Sequence, residues 1–197
     1  GYQLIWYDNG SLDINESGKF KAYLYEPGRI YDVAEIVEML RAAGLLAGDV
    51  QAVCMDEGAT MLLRPIYEQL PVSNTFAFDS YTAYPNNGVS FVVEQRMDGM
   101  QLSIEGRALG DAQVVWDSAR VISPEDALNA LAAHCQRDET VERIALAYHV
   151  RTIYADPLNV LLYPVWEIYA QSTGPLNASI VNAITGQVEQ SLLAADI

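Results

Sequence analysis

Two histidines, two cysteines and a surplus of carboxylates are the residues of this chain that could carry chemistry. Cys54 with His149 would form a nucleophile and base only if the thiol sat in a basic setting that stabilised its thiolate. Neither cysteine does. Cys54 lies in A-V-C-M and Cys135 in L-A-A-H-C, apolar contexts that read as buried free thiols. Pairing between them stays open, because spacing does not reveal whether their Cα atoms come within bridging range. His134 and Cys135 are neighbours, so on a helix their side chains diverge by about 100°. Zinc would need further ligands, and there is no second Cys/His cluster to supply them.

Asp13-Ile14-Asn15-Glu16-Ser17-Gly18 matches the opening half of a calcium loop, with oxygens at positions 1, 3 and 5 and glycine at 6. Position 12, where a bidentate glutamate belongs, is Leu24. The expectation is a plain turn and a fold that needs no calcium. Carboxylates are numerous enough to build a glycosidase-like pair, but no local pattern nominates one. G-x-S-x-G, P-loop and H-E-x-x-H signatures are all missing. Sequence therefore assigns no catalytic, cofactor-binding or metal residue, expects no cofactor, and leaves the binding residues unassigned.

The charge narrows the partners. There are 26 acidic residues against 11 basic ones in 197, a formal net charge of −15, and Lys19 and Lys21 are the only lysines. Nucleic acid and anionic membrane surfaces attract basic patches, so both are poor partners. No run approaches the roughly 18 apolar residues that span a bilayer. At 51% hydrophobic residues a real core is available. The leading Gly1, without a methionine, reads as a cleavage scar. The natural protein is therefore expected to extend further, with a signal or a lipoprotein-type anchor at its N-terminus.

The elements that would position these residues alternate between strand and helix. Leu4–Tyr7 and Lys19–Tyr25 read as strands bounded by D-N-G and N-E-S-G, with Phe20, Ala22 and Leu24 on one face. Val33, Ile36, Val37 and Leu40 form a helical stripe over Tyr31–Ala43, with Asp32 as N-cap, Glu35 at the capping-box position and Gly44 as stop. Val50–Met55 reads as a short buried strand. Ala59–Leu70 is ambiguous, since Pro65 argues against an unbroken helix.

Gly88–Glu105 is a hairpin about Asp98-Gly99, and Ala112–Asp117 reads as a third strand. Ser123-Pro124 opens a second helix, with Asp126 at the capping-box place and Leu128, Leu131, Ala132 and Cys135 as its stripe. Val141–Val150 and Val160–Ala170 are strands. The first carries His149 toward solvent, and the second carries Trp166 as a core anchor. Ile180–Ala183 and Gln187–Leu192 close the chain as a hairpin around Thr185-Gly186. Twelve tyrosines and three tryptophans fit half-buried sheet positions.

The second half resembles PepSY domains. S-P-E-D-A-L (Ser123–Leu128) is similar to their helix opening, Y-P-V-W-E-I-Y (Tyr163–Tyr169) to the strand that follows, and V-N-A-I-T-G-Q-V (Val181–Val188) to their closing hairpin. Asn182 stands where an aspartate is usual. M-D-G-M (Met97–Met100) resembles a turn of related propeptide-like modules, and the arrangement also resembles the YycH/YycI-type extracytoplasmic regulators. The resemblance covers roughly Val89 to Leu193 and implies inhibition, regulation or scaffolding outside the cytoplasm.

The expected architecture is α+β: two packed lobes, 1–80 of no recognised type and 81–197 PepSY-like, mainly antiparallel sheet with one main helix each. The expected function is a non-catalytic, membrane-anchored extracytoplasmic module that binds a protein or peptide at the cell surface. A carboxylate-dependent hydrolase and a structural cell-envelope protein are the alternatives. An exposed strand edge would favour binding, and an acid-lined cavity catalysis.

Overall fold

The computed structural model describes residues 3–7, 10–14, 19–24, 29–55, 59–73, 90–95, 102–107, 113–115, 120–135, 138–153, 156–172 and 178–191. Twelve strands and two helices lie among them: β1 (Gln3–Tyr7), β2 (Gly10–Ile14), β3 (Lys19–Leu24), α1 (Val33–Ala42), β4 (Val50–Met55), β5 (Thr60–Tyr67), β6 (Leu70–Pro71), β7 (Phe91–Gln95), β8 (Leu102–Arg107), α2 (Pro124–Ala132), β9 (Val141–Ile153), β10 (Asp156–Ala170), β11 (Ser179–Asn182) and β12 (Val188–Gln190). The strands form two sheets, ordered β1-β2-β3-β8-β7-β5-β4, with β6 joined to β5, and β12-β11-β10-β9. All strand pairs are antiparallel. The fold is α+β with two sheet lobes.

Each helix forms where its caps say it should. Asp32 accepts the Glu35 N–H at 2.9 Å, and the Glu35 carboxylate accepts the Asp32 N–H at 3.0 Å, a reciprocal capping box. At the other end Gly44 takes φ +69°. This lets Gly44 N–H reach Arg41 O and Leu45 N–H reach Leu40 O, both at 2.9 Å, the Schellman closure that a glycine permits. Ile36, Val37 and Leu40 then pack with Phe20, Phe91 and Ile104 in the first core. Gln95 ties the helix entrance to β7: its amide accepts Tyr31 N–H and donates to Tyr31 O, at 3.0 and 3.2 Å.

In α2, Ser123 Oγ accepts the Asp126 N–H at 3.1 Å, and Pro124 fills the first helical position, where its missing N–H costs nothing. The buried side chains of α2 are Ala127 and Leu131. Leu128 and Cys135 pack partly, whereas Ala132 is exposed, so the stripe is rotated from the expected one by the choice of Ala127 over Ala132.

Several expectations are corrected. The hairpin β7–β8 belongs to the first sheet, where β8 pairs with β3 and β7 with β5. Phe20 and Phe91 meet there with ring centroids 5.7 Å apart. By sheet membership, 91–107 lies in the first sheet and 141–190 in the second; the division at 80 remains a proposal. Residues 113–115 are exposed and form no strand. β2 fills the stretch between the two turn signals, so the first lobe opens as a three-strand meander. β5 runs as a strand through Pro65, which faces away from β4. β4 is an edge strand of the first sheet, and Cys54 on it is exposed rather than buried. The turns Asn15–Gly18 and Asp98-Gly99 lie outside the described residues.

Trp166 is partly buried. It packs with the α2 core and donates its indole N–H to Ile122 O at 3.1 Å. Trp166→Ala is expected to cost about 3 kcal/mol, read as a melting-temperature drop of many degrees. Trp166→Phe keeps part of the packing but gives up the hydrogen bond, so its cost should be smaller than that of the alanine variant. A shift of a degree or two for the alanine variant would show that the indole anchors nothing.

Candidate functional site

The face of the second sheet turned toward the first carries the polar groups of greatest interest. Along β9 and β10 side chains alternate, and the register pairs Arg143 with Tyr169, Ala145 with Glu167, Ala147 with Val165 and His149 with Tyr163. These residues share one face. Trp166, Ile168 and Ala170 take the other, under α2.

At the centre of that inner face is a buried ion pair. Arg64 Nη2 donates to Glu167 Oε2 at 2.8 Å, with side-chain exposures of 1% and 0%. Burying two charges is tolerable only when their remaining groups are satisfied. Arg64 Nε donates to Val72 O at 2.6 Å and Nη1 to Gln51 Oε1 at 2.7 Å. Tyr169 O–H adds a 3.0 Å bond to Glu167 Oε2, and the Arg143 guanidinium lies 3.8 Å from the Tyr169 ring centroid. Burial, with the Glu167 charge next, pushes the Tyr169 phenol far up, against the pull of Arg64 and Arg143. It remains a protonated donor.

Among the described residues, further contacts join the sheets beside the ion pair. Ser73 N–H donates to Tyr148 O at 2.7 Å beside a parallel bridge between Val72 and Tyr148. Val72 also packs with Val150, Tyr67, Val160 and Leu162. Glu68 and Gln69, in the turn between β5 and β6, hold φ of +45° and +72°, a left-handed pair that glycine or asparagine usually supplies. This turn carries Glu68 to the Tyr148 hydroxyl, whose pKa is raised by burial and then by the Glu68 charge and hydrogen bond.

Outward from the ion pair runs a rim of His149, Tyr163, Glu189 and Asn182. The His149 and Tyr163 rings meet edge to face with centroids 5.5 Å apart. Tyr163 O–H donates to Glu189, and Asn182 Nδ2 donates to the other Glu189 oxygen at 2.8 Å. Burial first, then the Glu189 hydrogen bond and charge, hold the Tyr163 phenol well above its ordinary value, against Arg151. Burial lowers the His149 pKa, opposed by the Glu189 and Glu167 carboxylates. His149 is thus half-buried against an aromatic ring, not turned to solvent as its strand position alone suggested.

Chemically the rim offers a neutral imidazole, a neutral phenol and one carboxylate engaged by two donors, a surface suited to hydrogen bonding. The cysteines are free. Cys54 stands on the first sheet, while His149 packs on Tyr163 in the second, so the nucleophile–base pairing is not formed. The Cys135 thiol is pushed up by burial and by Glu139, and contacts Leu131 O at 3.4 Å. His134 Nδ1 lies 3.0 Å from Ala130 O on the exposed end of α2. Among the described residues no three His, Cys, Asp or Glu converge as metal ligands. Sequence reasoning missed Arg64 and Glu167. Their signal is a charge inside an otherwise apolar strand, M-L-L-R-P-I and P-V-W-E-I-Y.

No family model and no curated protein matches the chain. Among solved structures, an uncharacterized protein from Eubacterium rectale is similar over 97% of this chain and 76% of its own, at 11% identity and a TM-score of 0.51. This shows a shared fold. The Bacillus megaterium YpeB C-terminal domain aligns over 100% of this chain and 90% of its own, at 10% identity and a TM-score of 0.48.

Two measurements test this geometry. Arg64→Met leaves Glu167 buried without its cation and is expected to cost about 3–5 kcal/mol in urea unfolding. Adding Glu167→Gln, which still accepts from Tyr169, should recover part of that loss; strictly additive losses would show the two residues are uncoupled. For His149 the folded pKa lies below the ordinary 6.5, so the unfolded chain binds the proton more readily. Stability is therefore full above pH 6.5 and falls as the pH drops from there through the folded pKa. His149→Gln should flatten that part of the stability–pH curve, and an unchanged slope would contradict the assignment.

Proposed function

We propose that this chain is a non-catalytic extracytoplasmic binding or regulatory module built on a PepSY-like unit of helix and sheet. The observation that carries the reading is where three separate motifs meet. Ile122, the residue before the S-P-E-D-A-L cap, accepts the Trp166 indole N–H at 3.1 Å. Its own N–H donates to Ala183 O at 2.7 Å, inside V-N-A-I-T-G-Q-V. In that hairpin Asn182 Oδ1 accepts the Ile184 and Thr185 N–H groups, both at 3.0 Å, and Gly186 takes φ +73°. Helix opening, strand tryptophan and closing turn thus form one interlocked unit. The side chains of Ser123, Trp166 and Asn182 are engaged in capping, packing and turning the chain.

The state of Glu167 and Glu189 supports the same side. A carboxylate-dependent hydrolase needs two acids with separated pKa values facing a substrate. Glu167 is sealed under Arg64 and Tyr169, and Glu189 is held by Tyr163 and Asn182. Among the described residues no helix is long and apolar enough to cross a membrane.

The test is made on the epitope-tagged natural protein in intact cells. Externally added protease is expected to cleave it without lysis, and membrane fractions should retain it. Protection until lysis would overturn the extracytoplasmic assignment. A panel of glycoside, ester and peptide substrates is expected to show no turnover that Glu189→Gln abolishes; such turnover would restore the hydrolase.

A further inference from the structure

The geometry points to the outer edge of β4 as a docking site for an extended peptide, added to the first sheet as a further strand. We propose that this peptide is uncharged in its middle and carries lysine or arginine at the end that lies beside Asp49. The proposal deepens the binding-module reading and rests on it for the kind of ligand.

β4 ends the first sheet, and its register with β5 shows which backbone groups are free. Asp49 O accepts Ile66 N–H at 2.9 Å just before the strand. In an antiparallel pair, hydrogen-bonded and non-bonded positions alternate. With Val50 opposite Pro65, Gln51 opposite Arg64 and Ala52 opposite Leu63, the inward-bonding residues are Gln51 and Val53. Pro65 confirms the phase: it has no N–H to give, and its carbonyl accepts Val72 N–H on the side away from β4. Val50, Ala52 and Cys54 therefore turn their N–H and C=O groups outward, a ladder that a short strand can complete.

Natural edges are usually blunted by charges, prolines, shortness or a covering segment. β9 carries Glu142 and Arg143, and Ser73 donates to its Tyr148 carbonyl. β12 is three residues long and bears Glu189. β4 reads V-Q-A-V-C-M, six residues with no charge and no proline, and Gln51, Ala52 and Cys54 are exposed. Nothing in it discourages a partner strand.

Charge selects the occupant. Asp49 at the start of the strand is 85% exposed and Glu38 beside it 71%, with Arg41 shared between them. The chain as a whole carries −15. A basic-ended peptide is drawn to such a rim, whereas a second copy brings another −15 and is repelled. Main-chain bonds would supply affinity, and the small side chains of Ala52 and Cys54 would leave room for the alternate residues of the peptide.

The experiment uses the 197-residue chain and fluorescein-labelled Arg-Thr-Val-Thr-Val-Arg, read by fluorescence polarisation. Saturable binding is expected that weakens with salt and slows iodoacetamide alkylation of Cys54. Ala52→Pro removes one outward donor without touching the β4–β5 bonds and should weaken binding at least about tenfold with the melting temperature held. A peptide N-methylated at alternate residues should fail on the unmodified chain, a result that stands even if Ala52→Pro does not fold. Binding indifferent to both changes would place the peptide elsewhere, for instance on β1; this overturns the β4 site while leaving the binding-module reading intact. Absence of saturable binding would overturn the site as well. So would a dimer in light scattering that Ala52→Pro dissociates, since a second copy would then be the occupant.

Discussion

A guanidinium and a carboxylate shut away from water join the two sheets, and much of the second lobe follows from where that carboxylate must point. Glu167 faces Arg64. Its neighbours on the strand, Trp166 and Ile168, must then face the opposite way, and they are the residues that α2 covers. A slip of one residue in β10 would drive Glu167 into the α2 core and leave Arg64 buried beside apolar side chains, so the register is enforced from both faces at once. Tyr169 and Arg143 extend the same constraint along the strand by occupying the second lone pairs and the space above the ring. The ion pair is weak as a source of stability but strong as a specification of which face is which.

Local signals were legible in the sequence because they are satisfied locally. The Asp32–Glu35 box, the Ser123-Pro124 opening, the Phe20–Ala22–Leu24 face and the closing hairpin each depend on residues within a few positions of one another. Sheet membership was not legible. β8 sits between β3 and β7 because Phe20, Phe91, Leu102 and Ile104 share one core, and nothing in the alternation of Val89–Glu105 says which half of the chain will supply its neighbour. Gly106 holds the trace of that choice: a Cβ there would collide with the Phe91 ring, so a glycine ending an otherwise regular strand marks the close approach. The edge position of β4 and the half-burial of His149 were likewise hidden, since both depend on which strand pairs with which.

Asn182 illustrates how one side chain can answer to two strands at once. An aspartate would accept the Ile184 and Thr185 N–H groups as well as asparagine does. It would not donate to Glu189, and its charge would lie against that carboxylate. The amide satisfies both demands, and in doing so fixes the Glu189 oxygens for Tyr163. The composition of the turn is thus set partly by a residue on the next strand.

The order of strands in the first sheet bears on how the chain is made. β3 pairs Leu24 with Leu102 and Lys19 with Arg107, so the meander β1–β3 emerges from the ribosome with one long edge bare and must wait for β8. At about 5–20 residues per second that interval lasts several seconds. During it the Phe20 face has neither its sheet neighbour nor Phe91 to cover it.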